Sequence, residues 1–310
     1  MLRLQSLAKY EGDFEEIIQD YCQIFQETYN YSVNDMIRNV FYEIYENKKD
    51  GYVLLDNTDL LGIIIFHADH DIGVIHFFHI KRTCAQYKAF KVMIEHALQK
   101  IKMNVSKVVF LSEIFNFGVK QRRTMMSQFD FEEKERDLFE LNFLSYKKII
   151  DDSESPLVIR PFDYENLEEI GNLAYFSFAG SMELEVFPVG FEKENFVQEM
   201  QNIFNGVYGR FLHDYSVEVY DEEKNLIGAM VAIDMGDRLS LHTFFLGPKS
   251  WGKNYGYLML VNYMNHIQDR GKYKSVITFV SHENLKVKHL LTTIGFDLKL
   301  RLPLYSRILK

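Results

Sequence analysis

The chain reads as an α/β protein of the α+β type, built as two domains in tandem. Short stretches rich in β-branched and aromatic residues alternate with stretches whose apolar residues recur every three to four positions, the periods of strand and helix. The order of these stretches repeats. Gly62 and Gly228, Asn116 and Asn284, and Phe131 and Phe296 occupy like places at a near-constant offset of about 165 to 168 residues, the mark of a duplicated unit. A length of 310 residues suits two domains better than one. The short polar run Asp151–Pro156 is the expected linker, which puts the domains at 1–150 and 157–310.

In the first half, Leu2 to Leu7 suits a short strand. Asp13–Tyr29 and Val33–Glu46 carry apolar residues at helical steps, and Asp13 with Glu16 forms a capping arrangement. Tyr52–Leu55 and Leu60–Ala68 flank a turn at Asp56–Asp59 and predict a hairpin, to which Gly73–Ile80 adds a third strand. Lys88–Ile101 gathers Phe90, Met93, Ile94, Ala97, Leu98 and Ile101 on one helical face. A strand over Val108–Leu111, a helix over Phe117–Gln128 and closing strand character over Phe139–Tyr146 complete the half.

The second half opens with a strand at Leu157–Pro161 and helices at Tyr164–Phe178 and Phe191–Phe204, joined by the loop Ala179–Gly190. A hairpin over Ser216–Tyr220 and Leu226–Asp234 follows, then a strand over Arg238–Phe245. That strand leads through Leu246-Gly-Pro-Lys-Ser-Trp-Gly-Lys-Asn-Tyr-Gly256 into a helix. Pro248 has no N–H for a ladder and closes the strand. Gly252 and Gly256 let backbone amides approach a ligand, and Asn254 tolerates a left-handed backbone better than any residue but glycine. Tyr257, Leu260, Val261, Met264 and Ile267 then recur at helical spacing up to Gly271. Such a loop turns unpaired amides and the positive end of the helix dipole toward one point, an anion site. An ordinary strand–helix turn, its glycines relieving crowding, is the competing reading, and the spacing is neither G-x-G-x-x-G nor that of a P-loop. Ser275–Val280 makes a further strand, Asn284 caps a helix that Gly295 ends, and strands at Phe296–Arg301 and Tyr305–Leu309 finish the half.

The run Leu246–Gly256 resembles the pyrophosphate loop of the GNAT superfamily, the acyl-CoA-dependent N-acyltransferases. In that family a strand ending Val-x-Pro leads into Arg/Gln-x-x-Gly-x-Gly/Ala. Leu246-Gly247-Pro248 stands at Val-x-Pro, and Trp251, Asn254 and Gly256 stand at the marked loop positions. Trp251 replaces Arg/Gln, and Asn254 replaces the middle glycine. The helix from Asn284 to Gly295-Phe296 is similar to the family's second signature, and Leu157-Val-Ile-Arg-Pro161 to its opening strand.

The resemblance covers about residues 157 to 310 and implies two tandem GNAT-like domains, each a mixed, mostly antiparallel sheet flanked by helices. It implies acetyl-CoA or another acyl-CoA as donor, contacted by Phe245, Leu246, Trp251, Gly252, Lys253, Asn254, Tyr255, Gly256 and Asn284. The Ala179–Gly190 loop falls where the family lines its acceptor pocket, which makes Glu183, Glu185 and Phe187 candidate substrate contacts, with Asp234 a further one. The family's tyrosine acid falls at Leu291, so protonation of the thiolate falls to water or to another hydroxyl such as Tyr305 or Tyr257; His242 is the candidate base, with Asp234 and Asp237 as second choices. The expected activity is transfer of an acetyl group to a primary amine of a small molecule or peptide, by a monomer or homodimer. A non-catalytic acyl-CoA-binding or sensor protein, and a relic of the fold working through protein contacts, are the other readings.

Moved by the repeat offset, the loop falls on Ile80–Phe90, which has no glycine and puts Phe90 where Gly256 stands. A phenylalanine there obstructs the backbone approach a diphosphate needs, so the first half is expected to have lost cofactor binding. The formal net charge of −9 gives no attraction to nucleic acid or anionic membrane. The most apolar window, Leu60–Phe66, is too short to span a bilayer, and a cytoplasmic protein is expected. Cys22 and Cys84 read as buried thiols. His67, His70, His76 and His79 lack the spacing of a metal site, and no metal is expected. Isothermal titration with acetyl-CoA is expected to find one site per chain; two sites would overturn the loss assigned to the first half.

Overall fold

The computed structural model describes residues 2–46, 50–69, 71–84, 87–101, 105–149, 155–181, 183–186 and 189–309. In the first half it orders β1 (Leu2–Ser6), α1 (Glu15–Tyr29), α2 (Asn34–Glu46), β2 (Asp50–Asp56), β3 (Asp59–Asp69), β4 (Ile72–Ile80), α3 (Tyr87–Ile101), β5 (Lys107–Phe110), α4 (Val119–Ser127) and β6 (Glu132–Asn142). The second half orders β7 (Val158–Pro161), α5 (Leu167–Phe178), α6 (Glu183–Val186), α7 (Lys193–Phe204), β8 (Val217–Tyr220), β9 (Leu226–Met235), β10 (Arg238–Leu246), α8 (Tyr255–Arg270), β11 (Ser275–Ser281), α9 (Leu285–Ile294) and β12 (Asp297–Ile308). The fold is α/β, with a mostly antiparallel sheet flanked by helices. Among the described residues no helix is long and apolar enough to cross a membrane.

Two compact units result. One comprises Met1–Glu135, Val186–Gly190 and Leu302–Lys310; the other comprises Arg136–Glu185 and Phe191–Arg301. In the first, β1, β2, β3 and β4 pair antiparallel in sequence order, and β4 pairs parallel with β5. The far edge of β5 takes the end of β12, with Tyr305 opposite Phe110. Every residue of β4 is buried, because helices cover both faces. Phe78 meets Phe90 of α3 on one side, while Phe77 meets Tyr21 of α1 and Phe41 of α2 on the other. The predicted apolar stripe of α3 is the buried one: Phe90, Met93, Ile94, Ala97, Leu98 and Ile101. Cys22 and Cys84 are buried free thiols.

The second unit orders its strands β6, β11, β10, β9, β8 and β7; only β10 and β11 run parallel. Its core sets Met259, Leu260, Val261, Met264 and Ile267 of α8 against Leu239, Leu241, Val276 and Phe296. The opposite face is covered by α5 and α7, where Phe178 meets both Phe196 and Phe245.

Three sequence expectations change. The closing strand β6 starts at Glu132 rather than Phe139, because the charged run ahead of Phe139 is extended as well. The two final strands are one, β12, unbroken through Pro303. Glu183–Val186 forms a helical turn inside the predicted loop. The N-terminal cap of α1 also differs in detail: the Asp13 carboxylate accepts from Glu15 N at 2.9 Å.

Asp137 on β6 pins that strand to its neighbours. Its carboxylate is fully buried and accepts from Arg301 Nε (2.7 Å), His282 Nδ1 (3.0 Å) and Lys288 Nζ. Burial alone would raise its pKa, but these bonds outweigh burial and bring it down to about 2. A folded-state pKa below the unfolded one stabilises the fold at neutral pH, and that contribution is lost as pH falls through about 4 toward 2. Asp137→Asn is expected to lower stability by about 2 kcal/mol at pH 7, and the deficit to shrink by pH 2, as read from urea midpoints. A deficit that stays constant across that range would show that the charge does not matter.

Candidate functional site

The site begins with a parallel pairing that stops early. β10 and β11 share a ladder only over Arg238–Ser240 and Ser275–Ile277. Directly beyond, the register of β10 against β9 slips between Leu241 and Thr243, so His242 is the extra residue of a bulge. A bulge bends its strand and sharpens its twist. Thr278 Oγ1 donates to Leu241 O at 2.9 Å where the strands part. From there β10 keeps only β9 and β11 keeps only β6, which leaves a wedge between Thr243–Leu246 and Phe279–Ser281.

The first unit starts the same way and ends differently. β4 and β5 pair over Ile72–Ile75 and Lys107–Phe110, and Leu111 N extends the pairing to Ile75 O at 2.9 Å. Side chains then close the gap. Ser112 Oγ accepts from Phe78 N (3.0 Å) and is 3.2 Å from Phe78 O, and Asn116 Nδ2 donates to Ile80 O at 2.7 Å. Phe90 is buried edge-on against Phe78, Phe117 and Phe129.

At the open end of the wedge lies the loop predicted to bind an anion. Leu246 O accepts from Trp251 Nε1 (2.7 Å) and Ser177 Oγ (3.1 Å), which ties the loop to the strand end. Pro248–Ser250 forms one 3-10 turn. Gly252 (φ 77°) and Asn254 (φ 63°) then adopt left-handed backbone on either side of Lys253, and α8 starts at Tyr255. Alternating handedness of this kind turns successive amides toward one concavity. Among the described residues no acceptor is paired with the amides of Gly252 to Gly256. Crowding does not explain the glycines. A Cβ at Gly252 would meet nothing within 4 Å, and one at Gly256 would meet Leu290 Cδ2 at an ordinary 3.4 Å.

Asn284 and Glu183 come together at the mouth. Glu183 Oε1 accepts from Ser281 N (3.0 Å) and Asn284 Nδ2 (2.9 Å), and Glu183 Oε2 from Ser281 Oγ (2.8 Å). Asn284 Oδ1 caps α9 through Val287 N at 3.3 Å. Glu183 therefore ties α6 to the β11–α9 junction, and Glu185 is exposed on the same turn. Phe187 lies outside the described residues.

The remaining candidates fare differently. His242 lies at the bulge, its ring stacked on Tyr208 at 5.3 Å. Burial, helped by the Arg136 charge, holds its pKa down to about 3. So weak a base does not take a proton from an ammonium, which counts against His242 as general base. Asp234 is not in the wedge. It pairs opposite Leu239 at the start of β10, accepts from Gly236 N (2.9 Å) and binds Arg210. Tyr305 belongs to the first unit, where its hydroxyl donates to Glu133 Oε2 at 3.2 Å and burial pushes its pKa up. Leu291 lies in the core of the second unit. The sequence reading did not single out Arg136, whose guanidinium donates to Phe279 O at 3.2 Å. His67 and His76 bond to each other, and His79 to Asp20 (2.6 Å); His70 lies outside the described residues.

Residues 157–297 match the model of the acetyltransferase (GNAT) domain. No curated protein matches the chain in sequence. Among solved structures it is similar to a tandem GNAT protein from the clavulanic acid biosynthesis pathway, at 8% identity and a TM-score of 0.65 over 99% of this chain and 98% of that one. It is also similar to a GCN5-related N-acetyltransferase from Sphaerobacter thermophilus, at 10% identity and a TM-score of 0.68 over 99% and 95% of the two chains. A GNAT-family acetyltransferase from Colwellia psychrerythraea follows at 9% identity and 0.53, over 99% of both. At these identities the likeness is one of fold.

The left-handed backbone at Asn254 makes a local prediction. Asn254→Gly should leave the urea midpoint nearly unchanged, whereas Asn254→Val should cost about 1–2 kcal/mol. Equal midpoints for the two variants would refute the conformation.

Proposed function

We propose that the protein is an acyl-CoA-dependent N-acyltransferase that acetylates a primary amine, from the premise that residues 157–297 match the acetyltransferase (GNAT) domain and that the chain is similar in fold to a tandem GNAT protein. The observation that carries this reading is the loop Gly252–Gly256, whose unpaired amides and alternating backbone lie at the open end of the β10–β11 wedge. A diphosphate fits that loop. It takes amide donors and the N-terminus of α8, and Lys249 and Lys253 add positive charge. The two family departures fit the same role. Asn254 takes the left-handed backbone that a glycine would take, and Trp251 anchors the loop by its indole N–H.

An acyl thioester supplies an activated carbonyl, so the chain's own task is placement. The bulge at His242 and the unpaired edge of β10 give backbone groups beside which a carbonyl can lie. Asn284 Nδ2, at the mouth, offers a polar contact to the pantetheine arm as the family's asparagine does. The first unit, its gap zipped by Ser112 and Asn116 and filled by Phe90, serves as a structural partner without cofactor.

A second reading, an acyl-CoA-binding protein without transfer, is favoured by one set of observations: Leu291 is buried in the core and His242 is too weak a base. Release of free thiol from acetyl-CoA over a panel of polyamines, aminoglycosides and amino acids separates the two. Turnover with any acceptor supports transfer, and binding without thiol release supports the second reading. Gly256→Glu should abolish acetyl-CoA binding while leaving the fold intact, because bulk and negative charge enter the anion loop. Undiminished affinity in that variant would remove the loop from the site.

A further inference from the structure

Arg136 pairs with Ser281 across the β6–β11 ladder, and its side chain extends along β11. Nη2 donates to Phe279 O at 3.2 Å, and the guanidinium lies 5.4 Å from the centre of the Phe279 ring. Its charge is felt by His242 across the wedge on β10, and it feels the charge of Glu183 on α6. The guanidinium thus lies against Phe279 on β11, the strand that borders the wedge opposite the bulge.

Compensation of this cation is incomplete. Nε is buried with no hydrogen-bond partner among the described residues, and among the same residues Nη2 makes the side chain's one hydrogen bond. Glu183 is the acid whose charge reaches it, yet both Glu183 oxygens are engaged by Ser281 and Asn284, and among the described residues no direct ion pair to Arg136 forms. A guanidinium remains charged in any protein environment, and a buried one without a hydrogen-bonded counter-ion is costly. Its planar fork matches a carboxylate, which accepts two parallel N–H bonds.

We infer that Arg136 is a specificity-determining residue that selects an acceptor bearing a carboxylate beside its amine, an amino acid or a compound built like one. The inference rests on the acyl-transfer reading of the wedge and names its substrate class. With the carboxylate on Arg136, the amine is held within the wedge near the bulge. The same cation lowers the basicity of a neighbouring amine and so favours the neutral, attacking form. In the step itself the amine nitrogen bonds to the acyl carbon, the C–S bond breaks with its electron pair passing to sulfur, and the ammonium proton leaves to water. No strongly basic side chain is required, which agrees with the weak basicity of His242.

The test uses the full chain and pairs of acceptors that differ only in the carboxylate: amino acids against their decarboxylated amines, for example lysine against cadaverine. Thiol release from acetyl-CoA is expected to favour the carboxylate-bearing member of a pair by roughly 100-fold or more in kcat/KM. Arg136→Gln should remove most of that preference through KM while leaving acetyl-CoA affinity by calorimetry unchanged. Arg136→Lys, which keeps the charge and loses the fork, should retain part of it. A binding readout stands apart from turnover. In the presence of CoA, the His242 imidazole resonances should shift with carboxylate-bearing amines and not with their decarboxylated partners, and in Arg136→Gln the His242 pKa should rise. If acetyl-CoA binds, no acceptor releases thiol and the resonances still discriminate, the transfer reading fails and the carboxylate site stands. Equal response to both members of every pair, in turnover and in resonance shift, overturns the assignment of Arg136.

Discussion

One slipped residue governs the second unit. Parallel strands in a sheet gain a bond at nearly every step, so a pair that stops after three residues needs a cause. The bulge at His242 is that cause. It lies directly after the last paired residues, bends β10 away from β11 and leaves backbone edges without a ladder. The loop at Gly252 and the seat of Asn284 lie beyond that separation.

The two units show how little distinguishes an open wedge from a closed one. Both begin with a parallel pair covered by a helix, and both place an asparagine near the same point of the plan. In the first unit Asn116 turns its amide onto Ile80 O, and Ser112 answers Phe78. In the second, Asn284 turns its side chain to its own helix and to Glu183. A hydroxyl, an amide and one phenylalanine close in the first unit the gap that stays open in the second.

Legibility in the sequence followed the range of the interaction. Pro248, Gly252, Asn254 and Gly256 were readable because their constraints are local: a missing N–H, a left-handed backbone, an exposed helix start. The stripe of α3 and the alternation of strands were readable from period alone. The surroundings of His242, Asp234 and Tyr305 were not readable, because they rest on distant neighbours: Arg136 for the first, Arg210 for the second and Glu133 for the third. Arg136 escaped notice because Glu132–Asp137 carries the composition of a solvated segment, and the ladder to β11 that makes it a strand is formed with residues far along the chain. Phe296–Arg301 and Tyr305–Leu309 read as two strands, yet β12 runs unbroken through Pro303 between them.

The placement of Tyr305–Ile308 against β5 bears on how the polypeptide matures. Phe110 is translated long before its partner Tyr305, so the edge of β5 is bare while the intervening residues are made. The early-made unit is therefore completed late, after nearly all of the second has left the ribosome. Domains that emerge in sequence usually also close in sequence. Here the chain's later fortunes decide the earlier unit: premature termination anywhere past Asn142 would strand an unfinished sheet with an adhesive flank. Quality control during synthesis would then read both halves as one article, whichever of them carried the fault.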